Sequence, residues 1–171
     1  AAQEAGFANA AREARQLSRL HSLLASRNGQ VVFEYYAKGY TPTRLANIKS
    51  ASKSLISALV GIAIDRHLIS GVTQPIVTWF PELRRDADAR KTRITVEDLL
   101  TMRSGLETTS NRNYGAWVTS PNWVRFVLTR RLLADPGTTM QYSTGSTHLL
   151  SAILTKATGS STWQFAQKAL A

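Results

Sequence analysis

The run from Lys49 to Asp65, KSASKSLISALVGIAID, restricts the fold more than any other stretch of the chain. From Ser54 onward Leu55, Ile56, Leu59, Val60, Ile62, Ala63 and Ile64 occupy all sides of a helical wheel, which predicts a helix buried nearly all round in the middle of a core. Such a helix needs other elements around it, and 171 residues suit one domain or a large piece of one. With 43% hydrophobic and 19% charged residues the chain reads as globular rather than disordered or collagenous. No stretch reaches the roughly 18 consecutive apolar residues of a membrane span.

The surrounding pattern is mixed. Residues 5 to 24 place Phe7, Ala11, Ala14, Leu17, Leu20 and Leu24 at helical spacing, which predicts an amphipathic helix. Asn28-Gly29 then separates two short apolar runs and signals a two-residue hairpin turn, the start of a small antiparallel sheet. Pro75 and Pro81 break the stretch GVTQPIVTWFPEL. Thr95-Val96-Glu97-Asp98 resembles a capping box ahead of LLTM, with Gly105 where that helix would stop. Further helices are expected over SPNWVRFVLTRRLL, with Pro121 near its first turn, from about Ser146 to Thr158 with Gly159 as its stop, and in the tail SSTWQFAQKALA.

The start of the 49–65 run also offers chemistry. Ser50 and Lys53 stand three apart, so on a helical turn their side chains share a face within hydrogen-bond reach. A serine hydroxyl attacks poorly until a neighbouring base takes its proton, and a desolvated lysine with a lowered pKa helps to do that. The spacing alone is weak, since S-x-x-K arises about once by chance in a chain of this size. Helix capping by Ser50 and Ser52 and a snorkelling Lys53 are the plain alternatives. A helix apolar all round leaves the lysine little surface to reach, which favours the chemical reading.

A second feature lies in DPGTTMQYSTGSTHLLSAIL, where Tyr142 and Thr144 fall just before an apolar helix. Packing and capping account for both residues taken alone, yet a tyrosine beside a lysine ammonium can shuttle protons, because the positive charge favours phenolate. No G-x-S-x-G elbow occurs, and His21, His67 and His148 lack a clear serine and aspartate partner or the spacing of a zinc site, so each reads as a packing or surface residue. The absence of cysteine removes disulfides, thiolate nucleophiles and cysteine-ligated zinc without fixing the compartment.

The formal charge of +10 raises nucleic-acid binding as an alternative. Its distribution argues against that: the arginines are scattered, and the densest cluster, RRDADARKTR, is interrupted by two aspartates. A solvated basic surface, or the basic part of a larger and better balanced protein, fits better.

Three segments in order carry a resemblance: IKSASKSLISALVGIAIDRHLI, then ITVEDLLTMRSGLE, then PGTTMQYSTGSTHLLSAILTKATG. Together they resemble the serine β-lactamase and penicillin-binding-protein-like family, in particular its class C-related esterase and amide hydrolase branch, over roughly residues 22 to 170. The resemblance implies an α+β fold, of which residues 1–171 would be the N-terminal part of one domain: the helical region plus the first antiparallel hairpin, with the remainder of the sheet absent. It implies Ser50 as the acylated nucleophile, Lys53 as its proton-accepting neighbour and Tyr142 as the tyrosine of the family's Y-x-N motif. Thr144 falls where many members carry asparagine, a substrate-contacting position. LLTMRSGL matches a segment given a packing role.

The same resemblance implies two-step acyl transfer on a small-molecule ester, amide or β-lactam, with no metal and no organic cofactor. The family's third motif, K-T-G or H-x-G on a sheet strand, would follow the Tyr142 helix and does not occur in this chain, so the expected partner is the C-terminal half of the same domain or a second chain. Relatives are often exported, which implies a periplasmic or secreted protein, although the opening residues AAQEAGFANA show no signal peptide. A catalytically inactive penicillin-binding-like interaction domain is the non-enzyme alternative.

Overall fold

The computed structural model describes the backbone of residues 2–170 and side chains from residue 6 onward. The expected span 1–171 therefore includes Ala1 and Ala171, which lie outside the described residues. The chain divides into two compact units, residues 1–48 and residues 49–171.

The first unit holds helix α1 (Ala2–Gln16) and an antiparallel hairpin of β1 (Ser22–Arg27) and β2 (Gln30–Tyr36). Asn28 and Gly29 form the turn with φ of 52° and 78°, the positive pair that a two-residue type I′ turn requires. Pairing shifts register between Ala25 and Ser26, so Val32 is the extra residue of a bulge. Phe7 of α1 stacks on Phe33 of β2 with ring centroids 4.9 Å apart. The helix is shorter than its apolar spacing predicts: it ends at Gln16, leaving Leu17 exposed, and Leu24 belongs to β1. Helical and extended spacing overlap across 17–24, and the hairpin register captures the second half.

The second unit is built on α2 (Ser52–Asp65) and α6 (Thr144–Thr158), which pack together and carry α7 (Thr162–Leu170) against both. Leu59, Val60 and Ala63 of α2 meet a core that includes Leu149, Leu150, Ile153 and Leu154 of α6. Helix α2 is not buried all round: Leu55 is 49% exposed, Ala58 is exposed, and Ile56, Ile62 and Ile64 are half-buried. Its partners α6 and α7 cover one side only, so the all-round apolar surface exceeds the cover present among the described residues.

Between α2 and α6 run short 3₁₀ turns and three short helices, α3 (Val96–Leu100), α4 (Tyr114–Val118) and α5 (Trp123–Leu128). The capping box at α3 forms as expected: the Asp98 amide donates to Thr95 Oγ1 (3.2 Å) and the Thr95 amide to Asp98 Oδ2 (2.9 Å). The stop comes earlier than Gly105, at Met102 with φ 57°. Helix α5 is likewise shorter than its sequence pattern. Asn122 caps it one residue after Pro121, and beyond Leu128 the chain turns extended so that Leu132 bridges to Leu106. Lys91, from the cluster read as basic surface, is buried; its ammonium donates to Asp86 Oδ2 (2.7 Å) and to the Leu128 carbonyl (3.0 Å), tying the 3₁₀ region to α5.

Candidate active site

Ser50 sits in a 3₁₀ turn, Lys49–Ala51, that leads straight into α2. Lys49 takes φ 51°, a left-handed conformation that costs a non-glycine residue energy and tends to occur at functional sites. Ser52 Oγ donates to the Lys49 carbonyl at 2.8 Å and pins the turn; neither serine caps α2 through its side chain. Lys53, in the first turn of α2, donates from Nζ to Ser50 Oγ at 3.2 Å.

Tyr142 lies 92 residues away in sequence, yet its hydroxyl is 2.7 Å from Ser50 Oγ, and the Lys53 ammonium is 5.4 Å from its ring centre. Ser50, Lys53 and Tyr142 thus converge from two separate elements. The hydrogen bond from Ser50 and that from Lys53, with the lysine's charge and a contact from Thr144, hold the Tyr142 phenol below its ordinary pKa against a smaller opposing push from burial. The helix start is less buried than the sequence predicts: Ser50 and Tyr142 are exposed and Lys53 is half-buried. Thr144 opens α6, and its Oγ1 lies 3.1 Å from Ser110 Oγ.

The Beta-lactamase family profile matches residues 13–171. The chain belongs to this family. No curated protein matches it in sequence. Among solved structures, FmtA from Staphylococcus aureus is similar over 97% of this chain and 48% of its own, with TM-score 0.77 and 18% identity. A class C beta lactamase from Rhodobacter sphaeroides is similar over 98% and 47% respectively (TM-score 0.67, 20% identity). A D-amino acid amidase from Ochrobactrum anthropi is similar over 89% and 48% (TM-score 0.62, 22% identity). These likenesses show a β-lactamase and penicillin-binding-protein-like fold, of which the chain spans slightly under half the neighbours' length.

In this β-lactamase-family chain the site has two features that the sequence did not announce. A cleft of about 170 Å³ opens beside the serine turn, lined by Ser52, Lys53, Ile56, Trp117, Thr144 and His148 among others. His148 stands edge-on to Trp117 and Trp123, at 5.7 and 5.3 Å between centroids, and burial holds its imidazole below the ordinary pKa. His21 stacks on Tyr40 and His67 is exposed at the end of α2. A larger cleft of about 670 Å³, bounded by residues such as Phe80, Arg125 and Lys156, contains none of Ser50, Lys53, Tyr142 and Thr144.

The second feature is the segment Thr108–Ser110, which hydrogen-bonds every residue from Gln141 to Gly145. The Thr108 amide donates to Gln141 Oε1 (3.0 Å) and its hydroxyl to the Tyr142 carbonyl (2.7 Å). The Thr109 amide donates to Ser143 Oγ (3.3 Å), while Thr109 Oγ1 accepts from the Gly145 amide (2.8 Å). Ser110 Oγ accepts from the Thr144 amide at 2.9 Å. Hydroxyl residues spaced 34 apart carry no periodic signal, so only the fold brings them into view.

Proposed function

We propose that this chain carries the nucleophile side of a serine hydrolase that works through a covalent acyl-enzyme on esters or small amides, with β-lactams as the further substrate class. One observation supports this above the rest: a serine hydroxyl at 2.7 Å from a phenol whose pKa is lowered, with a lysine ammonium bonded to the same serine oxygen. Ser50 Oγ forms the bond to the carbonyl carbon as its proton passes to the Tyr142 phenolate, while the Lys53 ammonium stabilises that phenolate. Collapse of the tetrahedral adduct breaks the bond to the alkoxide or amine, which leaves with the proton from Tyr142. Water then adds to the acyl carbon, gives a proton to Tyr142, and Ser50 departs by taking that proton back.

An oxyanion site needs two convergent donors. The family resemblance assigns one to the nucleophile's own amide and the other to a sheet strand. We assign that strand to the remainder of the neighbours' length, contributed by the same domain or by a second chain. Thr144, at the edge of the cleft, is the substrate-contacting residue in this reading; its hydroxyl retains a hydrogen-bonding group but not an amide.

The test is intact mass after incubation with a fluorophosphonate probe, with peptide mapping of any adduct. Ser50 should carry the adduct and Ser50→Ala should carry none. Lys53→Ala and Tyr142→Phe should slow labelling by about 10²–10⁴-fold, the usual worth of positioned proton transfer. Labelling of another residue, or equal rates in all four proteins, refutes the assignment. Complete lack of labelling in the parent chain and in a chain extended to the neighbours' length favours the non-catalytic interaction domain.

A further inference from the structure

Every α-helix leaves its first amide groups without intrahelical partners, and a side chain at the N-cap ordinarily satisfies one of them. Helix α6 does not follow that pattern: Ser143 stands at its N-cap but makes no side-chain capping bond. The amides of Thr144 and Gly145 are met instead by Ser110 Oγ at 2.9 Å and Thr109 Oγ1 at 2.8 Å, from a loop more than thirty residues upstream. Ser143 Oγ returns the bond by accepting from the Thr109 amide, so the arrangement is reciprocal, like a capping box divided between two segments.

Tyr142 directly precedes this cap, and its own carbonyl accepts from Thr108 Oγ1. Thr109 and Ser110 are buried, which limits alternative rotamers and keeps water from replacing the bonds. Gly145 completes the fit. A Cβ there would stand 2.5 Å from Thr109 Oγ1 and 2.6 Å from Val127 Cγ2, so the absence of a side chain lets the loop reach the helix end.

We propose that Thr109 and Ser110 are positioning residues for Tyr142: they cap α6 from outside and thereby fix the phenol against Ser50 and Lys53. The inference rests on the reading of Tyr142 as the proton carrier in Ser50 acylation. Neither residue touches a reacting atom. Their effect passes through the backbone of residues 142–145, whose placement sets the 2.7 Å contact. Lys53 is the cation against the phenol, and its interaction depends on the same placement.

The experiment measures the titration of Tyr142 directly, by ultraviolet difference titration of the full chain against Tyr142→Phe, alongside the rate of fluorophosphonate labelling. In Ser110→Ala and Thr109→Val the Tyr142 midpoint should move up toward the ordinary tyrosine value, and labelling should fall about tenfold to a hundredfold, as expected when a reacting group is displaced by an ångström or less. Thr109→Ser keeps the hydroxyl and should titrate as the parent does. Thr95→Ala, which removes the cap of α3 and so destabilises the fold elsewhere, should lower the melting temperature without moving the Tyr142 midpoint. An unchanged midpoint in folded Ser110→Ala and Thr109→Val overturns the proposal, as does an equal shift in Thr95→Ala. Clamp variants that shift the midpoint while both the parent and a chain extended to the neighbours' length resist labelling would refute the hydrolase reading and leave the positioning role intact.

Discussion

At the residue scale the central fact is that Tyr142 is tuned by partners rather than by burial. Its phenol lies below the ordinary range because the Ser50 hydroxyl and the Lys53 ammonium bond to its charged form. Labelling of Ser50 should therefore rise with pH and level off below the free tyrosine value of about 10, and Lys53→Ala should move that rise to higher pH. A profile that is unchanged in Lys53→Ala would contradict the tuning. His148 shows the opposite case. Burial alone lowers its pKa, so as pH falls below about 6.5 the unfolded chain takes up a proton that the folded chain refuses. The stability contributed by the neutral ring is complete above that pH and is lost as pH falls through the folded value. Thermal midpoints of the parent should drop between pH 7.5 and 5.5 more steeply than those of His148→Gln; parallel slopes would rule the histidine out.

The three groups of the proposed site were legible at this scale to unequal degrees. Ser50 and Lys53 could be read from their spacing together with the apolar helix that follows, since three residues on a helical turn fix a shared face. Tyr142 stood out locally as a tyrosine just before an apolar helix, but its link to a serine 92 positions earlier came only through the resemblance, because nothing local ties the two. Thr109 and Ser110 could not be named at all: a hydroxyl that caps a helix from another segment leaves no trace in either segment's periodicity.

At the element scale, local rules worked where the structure is local. Asn28-Gly29, the Thr95 capping box and the Gly159 stop each depend on four or five consecutive residues, and each is present as expected. Lengths were less readable. Leu132 extends the pattern of α5 on paper, but pairing with Leu106 draws it into an extended segment. The stretch 71–95 has no helical repeat to read because its turns are held by tertiary anchors such as Lys91. Two substitutions test these elements. Thr95→Ala should cost about 1 kcal/mol in chemical denaturation, the typical worth of an N-cap. Gly145→Ala should cost about 1–3 kcal/mol, since its methyl overlaps Thr109 and Val127 where neither can easily retreat. A neutral Gly145→Ala would mean that the loop over α6 is looser than its hydrogen bonds suggest.

At the scale of the whole molecule, the two units differ in how much apolar surface they enclose. The second holds nearly all the fully buried side chains, whereas in the first Leu17, Leu23, Leu24 and Val31 are exposed and, among the described residues, Ala14 is its buried hydrophobic residue. Hydrogen exchange should accordingly be slowest in α2 and α6 and fast in β1 and β2, because local opening is cheapest where few apolar contacts must break. Equal protection in the hairpin and in α6 would show that the hairpin gains cover from elsewhere. The exposed Leu55 side of α2 belongs to the same account: the sequence describes a helix meant to be surrounded, and the described residues surround part of it.

The bond between Ser50 and Tyr142 joins two helix starts that meet only when α2 and α6 are packed. On the proposed reading, reactivity at Ser50 is a gauge of tertiary order, since a chain that kept its helices but lost their packing would leave an ordinary, inert serine. Followed through a denaturant series, loss of labelling should track loss of near-ultraviolet circular dichroism and precede loss of helical signal wherever the two part company. The chemistry would report on its own scaffold, with the nucleophile serving as the dye.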